Sequence, residues 1–596
     1  MKRYLLFTLL CLSCLFSCKP DNDAEKDKEK QKEASITVKP TAIIMDATQT
    51  EASFQLTTSD AWTISFDAGW ISAVFPTSGS SAAEEQAITL TVEENPADLR
   101  SAMLHITCGD LTKDVMVSQA EAAGKEILGK AYLMKATLLE DAKGFNMLSD
   151  PDFEDSGNQA LNAWNPWWAV LSVRVEGGAQ SGDYYCKLNT DVESENLGFQ
   201  TVCTQPNVEY SVSAWFLSNM PSGSPDTYCG LRIGVGTRPI NFEQRLGDGF
   251  TTTWTQYTIT GNVKNNPISE VFAYQFQKEG YYTSWDNVCL KRTGDTQKSY
   301  GLTNMTKVAD LYELSDGVIT TGDGCTAWED ADGKICLAFG RNVGEGEFST
   351  RENAFATSSD GLASIDVLKK DGKVAVILPP GSKEGGVLPT AGVTVGNRRW
   401  IHYQVIRDKE FGANLWRAWS GGLAYSDDGN TWTRSDVVFD KSGNFMEVCF
   451  YKEDGYVYMF GSHIARDNGE NTPVADEHYV KVARCPEADM DKAASWKYWN
   501  GADWVAGESS AVPIIYTGTL GELSVMKSAV TGRYMMIYSS IKRNAVVVRD
   551  AQNLTGDWSG EHILYPLKEN EMLYAPSFVP SAASGNDLYF IVSSLQ

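Results

Sequence analysis

One pattern recurs five times in the C-terminal half of this 596-residue chain and limits what it can fold into. A run of strand-forming residues enters a polar turn containing Gly or Asn, and a second run rich in aromatics leaves it. The copies are 326–340 (TAWEDADGKICLAFG), 392–406 (GVTVGNRRWIHYQVI), 448–462 (VCFYKEDGYVYMFGS), 525–540 (VMKSAVTGRYMMIYSS) and 577–594 (SFVPSAASGNDLYFIVSS). β-Branched and aromatic arms around turn-forming residues read as β-hairpins. Their starts lie 66, 56, 77 and 52 residues apart. A four-stranded propeller blade needs about 40–50 residues, whereas the turns of a sandwich recur every 8–12 or so. The spacing therefore predicts a five-bladed β-propeller over residues 301–596. A third strand and an acidic turn, often closed by Trp, follow four of the hairpins: 354–360, 423–432, 480–496 and 545–558. The fifth hairpin runs to the C-terminus, so its missing outer strand must come from upstream. Residues 307–314 (KVADLYEL) are the expected donor, which closes the ring without a bare sheet edge.

A chain of this length exceeds one core and predicts several domains. Its 17 Trp and 25 Tyr suit β cores and sugar-stacking surfaces alike. A net charge of −26 argues against nucleic acid or an anionic membrane surface as partner. The N-terminus reads as a signal peptide over 1–17: a basic start, then an apolar run at 4–16 too short to span a bilayer. It ends in Leu15-Phe16-Ser17-Cys18, which resembles a bacterial lipobox and implies cleavage before Cys18 and its lipidation. Residues 18–33, with almost no apolar side chain, read as a disordered tether. Acidic residues just after the Cys resemble the export signal of Bacteroidetes surface lipoproteins. That implies an outer-membrane protein, exposed at the cell surface and touching the membrane only through its N-terminal lipid. Nine further Cys have wide spacings and no CxxC pair, which argues against zinc or redox chemistry. A disulfide among Cys186, Cys203, Cys229 and Cys289 is open outside the cytoplasm; buried free thiols are the default.

Residues 34–121 alternate polar and apolar in short runs, the pattern of an antiparallel Ig-like sandwich. Trp62-Thr63-Ile64, Trp70-Ile71, Pro76-Thr77-Ser78-Gly79 and the closing Val117-Ser118-Gln119-Ala120 resemble a BACON domain, which implies a spacer or a glycan binder. Residues 122–143 read as a linker with helix potential. A second β-domain follows at 144–294. Its opening Leu148-Ser149-Asp150-Pro151-Asp152-Phe153-Glu154 and its late Trp285-Asp286-Asn287-Val288 resemble the jelly-roll carbohydrate-binding modules of families four and nine. The resemblance implies a structural Ca²⁺ held by Glu154 and Asp286; no other cofactor is required. Trp164, Trp167 and Trp168 (AWNPWW) offer a sugar-stacking platform, or a core or interdomain cluster.

In the C-terminal half, Gly322-Asp323-Gly324, Asn353-Ala354-Phe355-Ala356, the run 420–432 (SGGLAYSDDGNTW) and Gly521-Glu522-Leu523-Ser524 resemble domain-of-unknown-function family 4185. That family includes five-bladed propellers of glycoside hydrolase family 183, which cleave D-arabinan. Propeller sites lie at one mouth of the channel, on loops at the ends of inner strands. Asp323, Glu447 and Glu522 all precede or open inner hairpins, so three blades are expected to send a carboxylate to one rim. Glycosidic hydrolysis needs such acids: one protonates the leaving oxygen, another activates water or attacks carbon. Each, taken alone, can equally cap a turn or pair with an Arg. Candidate sugar contacts are Arg351, Asn353, His402, Arg466 and Tyr574; His402 also suits a satisfied core position. Where the family carries a second Asp at the end of the first hairpin, this chain has Arg341. An Arg cannot shuttle protons: either another carboxylate (Glu345, Glu347 or Glu522) takes over, or the site has lost hydrolysis and only binds glycan, or Arg341 fits a carboxylated sugar. Residues 425–432 resemble the Asp-box of sialidases, a structural turn. The expectation is an all-β, monomeric surface lipoprotein that hydrolyses arabinofuranose-containing or related polysaccharides. The alternative is a non-catalytic glycan binder with a degenerate site.

Overall fold

The computed structural model describes residues 34–595 apart from 40–41, 46–47, 82–84, 96–99, 120–129, 156–162, 168–171, 190–193, 220–227, 235–239, 247–251, 278–280, 320–321, 323, 341–352, 383, 408–416, 441–443, 463–477, 518–519, 569–570 and 580–584. The chain divides into two units, Met1–Lys125 and Glu126–Gln596. In the first, one sheet orders Ile36–Lys39, Glu51–Thr58, Gln86–Val92 and Ile71–Phe75. The other orders Ala42–Met45, Leu111–Gln119, Arg100–Cys108, Trp62–Ser65 and Ser78–Gly79. Side chains of a strand alternate faces, so Phe54 and Leu56, Ile88 and Leu90, Leu104 and Ile106, and Val115 and Val117 all point inward and fill one core. This is the two-sheet sandwich that the alternation predicts.

The second unit holds a jelly roll and a ring of five sheets. The jelly roll stacks Asn165–Trp167, Ser194–Cys203, Ile268–Gln277, Tyr228–Gly234 and Ile240–Leu246 on Ser172–Glu176, Tyr184–Asn189, Tyr282–Arg292, Glu209–Ser218 and Thr255–Asn262. Phe153, Trp164, Tyr210, Phe216 and Trp285 fill its core.

All five expected hairpins form the inner two strands of a blade. The innermost strands are Thr326–Glu329, Gly386–Val395, Glu447–Glu453, Leu520–Lys527 and Met572–Phe578, and each packs against the next until the last meets the first. Polar bridges near their C-terminal ends show that neighbouring inner strands run the same way. Lys452 Nζ donates to Thr394 O at 2.8 Å, and Lys527 Nζ to Glu453 Oε1 at 2.6 Å. The ring is closed by Ala327 N donating to Ser577 Oγ at 3.0 Å.

The closing blade departs from the expectation. Its order is Met572–Phe578, Asp587–Leu595, Lys130–Glu140 and Tyr300–Asp310. The outer strand ends where 307–314 was expected to continue: Leu311–Leu314 is one helical turn, capped by the Asp310 carboxylate. More consequentially, Lys130–Glu140 is a strand and not part of a linker with helix potential. An isolated helix of this length is marginal in water. As a strand it is paired on both sides and buries Ala131, Leu133, Met134 and Ala136. The propeller therefore takes residues from both sides of the jelly roll, and the expected boundary at 301 cuts through its last blade. The jelly roll is an insertion between the third and fourth strands of that blade.

A dense seam ties the inserted sandwich to the ring. Asp557 accepts from Tyr210 Oη at 2.8 Å and Arg292 Nε at 2.6 Å, and Glu561 N donates to Ser149 Oγ at 2.8 Å. Asp550, fully buried, is paired with Arg533 and accepts from Ser299 Oγ at 2.6 Å. Gly560 is required by closeness: a Cβ there would lie 2.0 Å from Leu148 O.

Candidate functional site

Because the inner strands are co-directional, their first residues face one mouth of the ring. Glu447 opens the third inner strand and Glu522 lies near the start of the fourth. Glu447 is buried, and its carboxylate accepts from the amide of Gln404 on the second blade. Glu522 is half-buried and sits in a β-bulge, where the pairing register slips between Leu520 and Leu523. Two further inner strands are bulged, at Thr390 and at Ala575–Pro576. Ala575 adopts φ +50°, the left-handed region that disfavours a Cβ-bearing residue. Bulges re-aim side chains and end pairing, and backbone strain of this kind concentrates at functional sites. Tyr574, half-buried, precedes the strained residue.

Several expected contacts belong to the framework instead. His402 is fully buried: Nδ1 lies 2.6 Å from Thr390 Oγ1, and the ring packs on Phe439 and Phe450. Burial pulls its pKa down to about 3, so it is neutral and out of reach of a sugar. Asn353 is also fully buried; its amide donates to Leu378 O and Val387 O, and its oxygen accepts from Leu378 N. It brackets two loops of backbone rather than a ligand. Trp164 is a core residue of the jelly roll, its ring tilted against that of Phe153 at 5.7 Å, with Nε1 donating to Asp150 O at 2.9 Å. For His402 and Trp164 the core alternative holds, and Asn353 joins them; a polar or aromatic residue near a strand end does not disclose in sequence which way it points. Asp323, Arg341, Glu345, Glu347, Arg351, Arg466, Trp168 and Cys18 lie outside the described residues, as does the side chain of Trp167.

In the jelly roll, Glu154 Oε1 accepts from Asp183 N and Tyr184 N at 2.8 and 2.7 Å. Asp286 Oδ2 accepts from Gln180 N and Ser181 N at 2.9 and 3.2 Å. Both expected calcium ligands thus hold the same loop through its backbone. The cation at this corner is Lys143, whose ammonium bonds Asp152 Oδ2 at 2.6 Å and Asn287 Oδ1 at 2.8 Å. Burial, only partly offset by these bonds and by Lys143, pushes Asp286 up to about 6. Calcium takes six to eight oxygens; among the described residues no cluster of three or more acidic, His or Cys side chains gathers here or elsewhere. Glu154 and Asp286, with their carboxylates turned to that loop's backbone, do not supply such a set. The eight described cysteines are all free thiols.

The Asp-box turn is structural, as expected. Asp428 Oδ1 accepts from Asn430 N and Thr431 N at 2.8 and 2.7 Å, and these bonds hold its carboxyl down at about 2. Trp432 packs edge-on against Phe355 of the first blade at 5.3 Å. Asp360 organises a second such turn, accepting from Ala363 N and Ser364 N.

These features define an all-β protein: a two-sheet sandwich, then a five-bladed propeller carrying an inserted jelly roll. Residues 314–596 match the family model of DUF4185, a domain of unknown function. Residues 60–120 match the BACON model, described as "Putative binding domain, N-terminal". Among curated proteins, the chain is 27% identical over 276 residues to Notoamide biosynthesis cluster protein J of Aspergillus sp. (strain MF297-2), covering 45% of this chain and 71% of that one. It is 27% identical over 305 residues to protein J' of Aspergillus versicolor, covering 48% and 78%. Among solved structures it is similar to TmCBM61 in complex with β-1,4-galactotriose, with 17% identity, 25% and 98% coverage and a TM-score of 0.21. The Hadza microbial sialidase Hz136 gives 12% identity, 66% and 83% coverage and a TM-score of 0.27. Among the described residues no helix is long and apolar enough to cross a membrane.

Proposed function

We propose that this protein is a lipid-anchored surface protein that hydrolyses polysaccharide, with arabinofuranose-containing or related glycans as substrate and the propeller mouth as active site. The observation that carries the reading is the pair Glu447 and Glu522 at the entries of adjacent, co-directional inner strands, with Glu522 on a bulge. Two carboxyl groups across a scissile bond supply the acid and the base or nucleophile of glycoside hydrolysis. Glu522, half-buried, is the proton-transferring group and takes over from the family's second acid, which Arg341 replaces here; Asp323, matched by the resemblance to the family's first acid, is its partner. Glu447, held by the Gln404 amide, steadies positive charge developing on the sugar. The test is sugar release from arabinans and host-type glycans. Glu522→Gln and Asp323→Asn should each lower the rate by about 10²–10⁴; release unchanged in both rejects the assignment. The anchoring half of the proposal is tested by palmitate labelling, which Cys18→Ala should abolish.

A second reading, a glycan-capture protein without hydrolysis, is favoured by Arg341 at the position of the family's second acid. Glycan binding with no release of sugar by the wild type would select it.

A further inference from the structure

The seam between jelly roll and propeller holds a partly open cavity of about 50 Å³ whose lining residues the proposed hydrolysis does not use. Arg543, Arg549 and Glu561 line it from the fourth blade, and Asn165, Gln200 and Ala163 from the sandwich. Arg549 is satisfied: Nε donates to Tyr538 Oη at 2.8 Å and Nη1 to Ser559 O at 2.7 Å. Glu561 is also engaged, accepting from Thr517 Oγ1 at 2.8 Å and Tyr538 Oη at 2.6 Å. Arg543 is not. Its side chain is 1% exposed, and Nη2 donates to Asp155 Oδ2 at 2.6 Å. Among the described residues Nε has no acceptor, and Nη1 stands 3.9 Å from Glu561 Oε2, beyond hydrogen-bond reach.

A buried guanidinium with two idle N–H groups is costly unless an acceptor arrives. A water needs about 10–15 Å³ on this measure, so the space takes a few waters or one carboxylate with its neighbouring carbon, and not a sugar ring. Half-buried Asn165 and Lys542, bonded to each other at 2.6 Å, flank the lining. We infer that this cavity is a binding site for a carboxylate, carried either by a free small organic acid or by the acid group of a uronic sugar whose ring stays outside. None of its lining residues is assigned to hydrolysis, and the inference does not rest on that reading.

The test uses the full chain at pH 8, with sodium acetate, sodium glucuronate, sodium phosphate and sodium chloride at matched ionic strength, followed by calorimetric titration and melting temperature. Acetate should bind saturably and raise the melting temperature. Glucuronate binding as well assigns the acidic sugar; acetate alone assigns the free acid. Arg543→Lys and Ala163→Leu should each weaken binding at least tenfold. The second variant fills the cavity without touching a charge, so it decides the matter should the first fail to fold. Protection by chloride or phosphate equal to that by carboxylates overturns the inference. So does no binding at all, or unchanged affinity in a folded Ala163→Leu protein.

Discussion

Leu133 tests the claim that a segment preceding the jelly roll is a strand of the propeller. The side chain is 4% exposed and packs with Ala131, Leu311, Phe339 and Ile591, where the closing blade meets the first. Leu133→Ala removes that filling and leaves a cavity, at a cost of about 2–5 kcal/mol. For a domain of about 150–250 residues each kcal/mol lowers the melting temperature by about 2–4 °C. The propeller is larger, so a fall of about 5–10 °C in its calorimetric transition is expected. Leu139, in the same strand, is 54% exposed, and Leu139→Ala should cost less than about 1 kcal/mol. The pair separates a packed strand from a tether, because a linker would treat both leucines alike. Equal, small effects from the two substitutions would refute the strand and return residues 130–140 to the role of a spacer.

Three further outcomes follow from the geometry. Burial first, then the nearby Asp155, raises Asp150 to about 7 against the pull of Arg543. Its stabilising contribution is complete below the ordinary carboxyl range and is lost as pH rises through about 7. Asp150→Asn, which tolerates the φ of +45° there, should flatten the fall in melting temperature between pH 5 and 8. Asp428, held at about 2, behaves in the opposite sense: its contribution is present above the ordinary range and disappears as pH falls through about 2. Asp428→Asn should therefore reduce the acid sensitivity of the melt between pH 4 and 2. Gly560→Ala pushes a methyl into Leu148 O and forces the seam apart; a loss of about 1–3 kcal/mol is expected by calorimetry.

The five hairpins were legible because alternation and turn residues are local signals, and each forms the inner pair of a blade. The strand at 130–140 was not legible. Its sequence is rich in helix formers, and its partners lie far away: Thr137 bonds Asp587 across 450 residues. Only the unpaired edge left by the fifth hairpin hinted that some upstream strand was needed. At the candidate site, Glu447 and Glu522 could be placed at inner-strand entries from spacing alone. His402 and Asn353 could not be told from ligand contacts, since burial is a property of the assembled blades. The Arg543–Glu561 cluster was missed altogether; its signal was a pair of arginines flanking the apolar run AVVV, where a charge has to find company.

The jelly roll leaves one strand of the closing blade at Glu140 and rejoins the neighbouring strand at Tyr300. Two covalent crossings, rather than a single flexible stalk, therefore hold it, and it cannot swivel as an end-on module does. The surface it presents is kept at a fixed reach from the pore, set by rigid geometry and not by the statistics of a linker.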